Sequence, residues 1–292
     1  MGAAIKREDI LNKIEELPTL PSIVYELSQV INDPMSSTQD VEKIMANDQA
    51  LTAKVLKLVN SAYYAIPGGV SNLGRAIAYI GFDTVHQLVL STSIITSLKS
   101  DGKPSFKVNE FWKHSVGVAI GSETIAKMFG HRNPSDLFTC GLMHDIGKLA
   151  LMIIGPNQLG EIVKVAEDKK MTFYEAEADL QYLNHTEIGK LLIEKWRLPQ
   201  MIQMVVKYHH KPEATARVGV SADINFNIDV VLLTNLLMHG FKFGDSGYTK
   251  IQGAPVEVMQ RLGITPEKFK EVLKKTKENL EKAADFVRIL GG

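Results

Sequence analysis

The chain is nearly free of cysteine, with Cys140 alone in 292 residues. A single thiol excludes an intrachain disulfide and fits a reducing compartment. Charge bias is missing as well: 33 basic side chains face 33 acidic ones. A formal charge of zero argues against a broad electrostatic grip on nucleic acid or anionic lipid. No uninterrupted apolar run approaches the roughly 18–20 residues that a membrane span requires. The first nine residues, Met1 to Asp9, lack the apolar stretch of a secretion signal. Lys6 stands where a myristoylation pattern needs Ser or Thr. Together these absences set the expectation of a cytoplasmic protein with no membrane partner and no strong nucleic-acid signal.

What is present reads as helix almost throughout. The apolar fraction of 45% and charged fraction of 23% are ordinary for a globular chain. Apolar residues recur at helical spacing, as in Leu51, Val55, Leu58 and Val59, and capping residues stand ahead of such segments. Ser36 or Ser37, Asp48, Ser71 and Asn184 are candidate N-caps, and Thr172 with Glu175 forms a capping box. These signals predict about six helices in residues 1–100, then long helices over 108–129 and 134–154. Further helices are expected over 157–168, 185–196, 199–210 and 229–239. Residues 211–227 read as a loop, and a last helix runs from 266 to 290. The expected fold is an all-α, multi-helix bundle in two lobes, an N-terminal helical lobe (1–100) and a second lobe (106–292). The polar stretch 99–107 is the candidate boundary.

The chemistry concentrates in Gly141-Leu142-Met143-His144-Asp145-Ile146-Gly147-Lys148-Leu149. A vicinal imidazole and carboxylate in an apolar segment form half of a metal site, and Lys148 lies one helical turn on. Four more histidines fall at helix positions or ends of the second lobe: His114, His185 and the His209-His210 pair. Helices of one bundle are able to aim such side chains at one point. Glu110 precedes His114 by one turn and shares its helix face. Imidazoles with carboxylates suit iron, manganese, zinc or nickel, as one or two ions, better than magnesium or calcium. Such ions acidify water, and two of them clamp a phosphate; Asp145 would bridge them, and Lys148 would meet phosphoryl charge. Cys140 is read as a small core residue, and His86, His131 and His239 as surface or capping residues. Lys207, Lys211 and Arg217 read as a solvated face, with a small anion-binding rim as the alternative. The Tyr63-Tyr64 pair reads as packing.

His144-Asp145 with His114 upstream resembles the HD superfamily of metal-dependent phosphohydrolases. The wider set Glu110, His114, His144, Asp145, Lys148, His185, His209 and His210 resembles its HD-GYP subfamily, which hydrolyses cyclic dinucleotides at two or three metals. The chain departs from that pattern after the histidine pair, where Lys211-Pro212-Glu213 stands instead of Gly-Tyr-Pro. It departs again at Asn235, which takes the position of the closing aspartate and offers a neutral oxygen only. In the first lobe, Leu17-Pro18-Thr19-Leu20-Pro21, Asp48 to Leu56, Val59-Asn60-Ser61-Ala62-Tyr63-Tyr64 and Ala76 to Gly81 resemble the HDOD family of bacterial signalling output domains. That resemblance covers residues 15–215. It implies a signalling role with protein partners, and many such domains have lost the His-Asp pair.

Three readings follow. One is a signalling module that keeps a structural or sensory metal site and acts through contacts with signalling proteins. Another is a metal-dependent phosphohydrolase acting on a nucleotide or cyclic dinucleotide, with Asp145 and Lys148 as catalytic residues. The third is a metal-free scaffold. The metal ligands expected under the first two are Glu110, His114, His144, Asp145, His185, His209 and His210, with Asn235 as a weak addition.

Overall fold

The computed structural model describes residues 7–33, 35–98, 106–247 and 250–291. In chain order the helices are α1 (Arg7–Glu16), α2 (Ser22–Asn32), α3 (Thr38–Met45), α4 (Gln49–Val59), α5 (Leu73–Ile80) and α6 (Phe82–Ser97). There follow α7 (Val108–Met128), α8 (Pro134–Met143), α9 (Ile146–Ile154), α10 (Pro156–Lys169), α11 (Phe173–Asp179), α12 (His185–Lys195) and α13 (Gln200–Tyr208). After a 3-10 turn (Ala214–Ala216) come α14 (Ala222–Phe241), α15 (Val256–Arg261), α16 (Pro266–Lys282) and α17 (Ala284–Gly291). No strand occurs among the described residues, so the fold is all-α.

The described residues fall into two compact units, Pro18–Lys99 with Lys277–Gly292, and Met1–Leu17 with Ser100–Thr276. Among the described residues, 7–17 and 277–291 thus trade places relative to the lobes expected from sequence. The reason is visible in what each buries. Ile10, Ile14 and Leu17 place one buried face of α1 against α9 and α12, and Lys13 donates to the Ile154 carbonyl at 2.9 Å. At the other end Phe286 and Leu290 of α17 are buried with α4 and α6. The expected boundary stretch 99–107 lies mostly outside the described residues.

In the unit built from α2 to α6 and α17, the Asn60-Ser61-Ala62 run has a mechanical role. Asn60 ends α4 and holds the following loop by both amide atoms. Its Nδ2 donates to the Val70 carbonyl at 2.8 Å, and its Oδ1 accepts the Val70 N–H at 2.7 Å. Gly69, at φ +65°, leaves room for this grip, since a Cβ there would stand 2.8 Å from Asn60 Oδ1. Tyr63 and Tyr64 pack edge-on with each other and against Phe286, at ring separations of 5.1, 5.2 and 6.0 Å.

The other unit is built on α7 and α8, whose backbones approach closely at Gly141. A Cβ there would lie 2.8 Å from the backbone of Ala119. Around this pair stand α9, α12, α13 and α14. Three expectations are corrected here. The helix over 134–154 is two helices, broken at His144-Asp145, where Asp145 leaves the helical region at φ −102°, ψ 11°. The loop over 211–227 ends early, because Ser221 caps α14 by accepting the Ile224 N–H. The last helix is also two, α16 and α17, separated at Ala283. Two helical stretches, Pro134–Ile154 and Ala222–Phe241, are long and apolar enough by composition to cross a membrane. Their apolar windows are 94% and 67% buried inside the protein, as core helices are.

Candidate metal centre

The break between α8 and α9 creates the site. His144 is the C-cap residue just after α8, where helix carbonyls lose their partners. Its Nδ1–H donates to the Gly141 carbonyl at 2.7 Å, so the imidazole caps its own helix. His209, at the end of α13, does the same to the Val206 carbonyl at 2.8 Å. His185 opens α12, with Asn184 as its N-cap, and donates Nδ1–H to Glu177 Oε2 at 2.8 Å. Each ring is fixed in orientation and tautomer by its Nδ1 bond, which leaves Nε2 as the free nitrogen.

Those free nitrogens converge on Asp145. Its Oδ1 lies 3.1 Å from His185 Nε2 and 3.4 Å from His209 Nε2, and its Oδ2 lies 3.3 Å from His144 Nε2. His210 joins the group, so Asp145, His185, His209 and His210 offer four ligand atoms within 4.8 Å of one another. Asp145, His144 and His114 form a second such set. Asp145 Oδ1 and Nε2 of His144, His185, His209 and His210 are all buried without a hydrogen-bond partner. Buried polar atoms are rarely left so. A carboxylate oxygen ringed by imidazole nitrogens calls for a cation between them, and imidazole with carboxylate is the donor chemistry of a transition metal. The residues fit the ion that the sequence pattern implies.

Electrostatics agree with the geometry. Burial alone would raise the Asp145 carboxyl, but Lys148, then His144, hold it well below the ordinary carboxylate range. Burial keeps His114 and His210 neutral far below the usual imidazole range and brings His209 to about 4. Neutral imidazole is the ligating form. At His185 burial, which would lower the pKa, is outweighed by Glu177 and then Asp145, which raise it.

Of the residues anticipated from sequence, His114, His144, Asp145, Lys148, His185, His209, His210 and Asn235 gather in this unit's interior. Lys148 is buried; its Nζ donates to Asp145 Oδ2 at 2.7 Å and to Ser246 Oγ at 3.3 Å, over the Phe173 ring at 4.8 Å. Asn235 accepts Nε2–H of His114 at 2.9 Å. Glu110 does not join them. Its side chain is 44% exposed and pairs with Lys113 at 3.8 Å, because the first turn of α7 stands at the surface. The solvated face expected of Lys207, Lys211 and Arg217 needs correction at Arg217, which is buried against Asp229 at 2.6 Å.

One neighbour, Glu177, went unnoticed in the sequence, and His239, read there as a surface or capping residue, is corrected to a neighbour of the site. Glu177 is fully buried and accepts both the backbone N–H of His185 at 2.6 Å and its Nδ1–H. His239, one turn beyond Asn235, stacks on His114 at 4.6 Å, and burial and Lys148 bring it to about 3. The capping box offered a signal for Glu177. Once Glu175 is spent on Thr172 and Asp179 pairs with Lys169, Glu177 is the remaining acid of α11. Glu177→Gln is expected to weaken metal binding about 10- to 100-fold, read by competition with a chromogenic chelator. An unchanged dissociation constant would remove Glu177 from the site.

The family model described as the HDOD domain matches residues 17–212. The fold resembles the crystal structure of an HDOD domain protein of unknown function from Geobacter sulfurreducens, at 25% identity and TM-score 0.75, over 97% of each chain. It also resembles a candidate phosphohydrolase from Shewanella amazonensis SB2B, at 22% identity and TM-score 0.71, again over 97% of each chain. An uncharacterized protein of Treponema pallidum is 24% identical over 202 residues, 69% of this chain and 39% of that protein. The chain thus spans about two fifths of the length of that curated relative.

Proposed function

The chain belongs to the HDOD domain family, and from that premise we propose that it is a signalling output module whose histidine-rich unit holds a divalent transition-metal ion in a closed site. The observation that carries this reading is the ring of unpartnered Nε2 atoms around the Asp145 carboxylate, each histidine pinned through its Nδ1 or buried in place. Closed sites of this kind serve structure, whereas catalytic sites keep an open position. His144, Asp145, His185 and His209 are all fully or almost fully buried. They come from the ends of α8, α9, α12 and α13, so an ion held by Asp145, His185 and His209 ties the ends of α9, α12 and α13 together. Metal loading would then set the rigidity of this unit, and signalling partners would read that rigidity through its surface.

Bound here, a divalent ion would supply Lewis acidity toward water or a phosphoryl oxygen. The observation that favours phosphohydrolysis as a second reading is His210, half-buried at the outer edge under a cation–aromatic stack. Tyr174 lies flat on it at 4.8 Å, and Lys211 stands 5.4 Å above Tyr174. Those side chains would receive a phosphate on a nucleotide or cyclic dinucleotide. The closed donor set and the neutral Asn235 favour the first reading.

The test is elemental analysis of protein purified without a metal column, alongside His209→Ala. Stoichiometric iron, manganese, zinc or nickel is expected in the parent and none in the variant. No bound metal, and no uptake on addition, overturns the reading. A panel of phosphodiesters assayed on loaded protein separates the two roles: turnover lost in Asp145→Ala would establish the hydrolase.

A further inference from the structure

The geometry points to a mononuclear centre, in which the buried ammonium of Lys148 stands where a second cation would otherwise be required. This inference rests on the metal reading above and narrows it. Asp145 is the one carboxylate shared by the two ligand sets, and its two oxygens have different company. Oδ1 has no hydrogen-bond partner and faces the Nε2 atoms of His185 and His209. Oδ2 is taken by Lys148 Nζ at 2.7 Å, on the side of His144. An ammonium at that distance neutralises the oxygen and repels any dication brought to the same side.

The second side also lacks anions of its own. The position that would close it is Asn235, whose oxygen accepts the Nε2–H of His114. Glu110, one turn before His114, is half-exposed and paired with Lys113. What remains there is His114 with His239 stacked upon it, and neither side chain is an anion. In the whole cluster two buried carboxylates, Asp145 and Glu177, stand against one ammonium. Against that single net negative charge one dication leaves one net positive charge, whereas two would leave three in the interior. The ion therefore belongs with Asp145 Oδ1, His185, His209 and His210. His114 and Asn235 serve as a hydrogen-bonded wall.

The experiment is a Mn2+ titration of the full chain after metal removal, read by equilibrium dialysis and by electron paramagnetic resonance. One ion per chain with an uncoupled mononuclear spectrum is expected. His114→Ala should still take up one ion and His209→Ala none, with circular dichroism confirming that both fold. In Lys148→Gln/Asn235→Asp, which removes the ammonium and restores the anion, a second ion and an exchange-coupled spectrum are expected. Two ions or exchange coupling in the parent chain overturns the single-ion inference and leaves the metal reading standing. The same holds if His114→Ala loses the ion, or if the folded double variant binds only one. No ion in the parent overturns the metal reading itself.

Discussion

Gly147→Ala is expected to be among the most damaging single-methyl changes in this chain, lowering stability by about 3 kcal/mol, the upper part of the range for forced overpacking. At this unit's size that corresponds to about 6–12 °C in Tm. Gly147 is the place where α9 meets α12 backbone to backbone. A Cβ there would lie 1.9 Å from the His185 carbonyl oxygen and 2.7 Å from the Gly189 nitrogen. Neither obstacle is a flexible side chain, so α12 itself must move. It carries His185, whose Nε2 stands 3.1 Å from Asp145 and whose backbone N–H and Nδ1 are held by Glu177. A shift of an ångström breaks those bonds, so metal content should fall with Tm. Gly240→Ala is the control. Gly240 is also helical, in α14, but nothing lies within 4 Å of its added methyl. That change should be neutral or stabilise by about 0.4–1 kcal/mol through the unfolded chain. Equal Tm values for the two variants would show that the α9–α12 seam is not a rigid contact.

The seam illustrates what the sequence carried and what it did not. Local chemistry was legible: Ser37, Asp48, Thr172 and Asn184 cap the helices whose starts they mark. So was the company of histidines, since each sits at a helix end or on a face turned inward. The break at His144-Asp145 was not legible. Residues 134–154 are apolar at continuous helical spacing, and only the Gly141 carbonyl taken by His144 shows why the helix stops. The start of α14 was missed because Ala222 to Asn227 alternates polar and apolar residues without a clear helical face. The carboxylates failed in opposite directions. Glu110 shares a helix face with His114, but a common face does not mean a common depth, and it stays half-exposed. Glu177 sits in Glu-Ala-Glu-Ala-Asp, which reads as a solvated stripe until the fold turns its middle acid inward. Periodicity gives direction around a helix, and tertiary packing alone decides which direction is the interior.

Asp145→Asn is expected to remove the metal and to cost about 3–5 kcal/mol, because it leaves the Lys148 ammonium buried without its anion. That is about 6–20 °C in Tm for a unit of this size. The two losses have separate causes and separate remedies. Asp145→Asn combined with Lys148→Met replaces a stranded charge with a neutral pair in the same apolar surroundings, among Phe173 and the core of α9. Most of the stability should return in that chain, while metal binding should not. The pH dependence of the parent has a defined sign. Burial opposes the Asp145 charge, yet Lys148 and the histidines hold its pKa well below that of an unfolded aspartate. The stabilisation is therefore complete above the unfolded value, about 3.9, and is lost as pH falls through the depressed folded value. Asp145→Asn has no such carboxyl to titrate, so the stability difference between it and the parent should shrink in acid. If the double variant stays as unstable as Asp145→Asn, the carboxylate does more than answer Lys148. The cost would then lie in the imidazole nitrogens that Asp145 organises around itself.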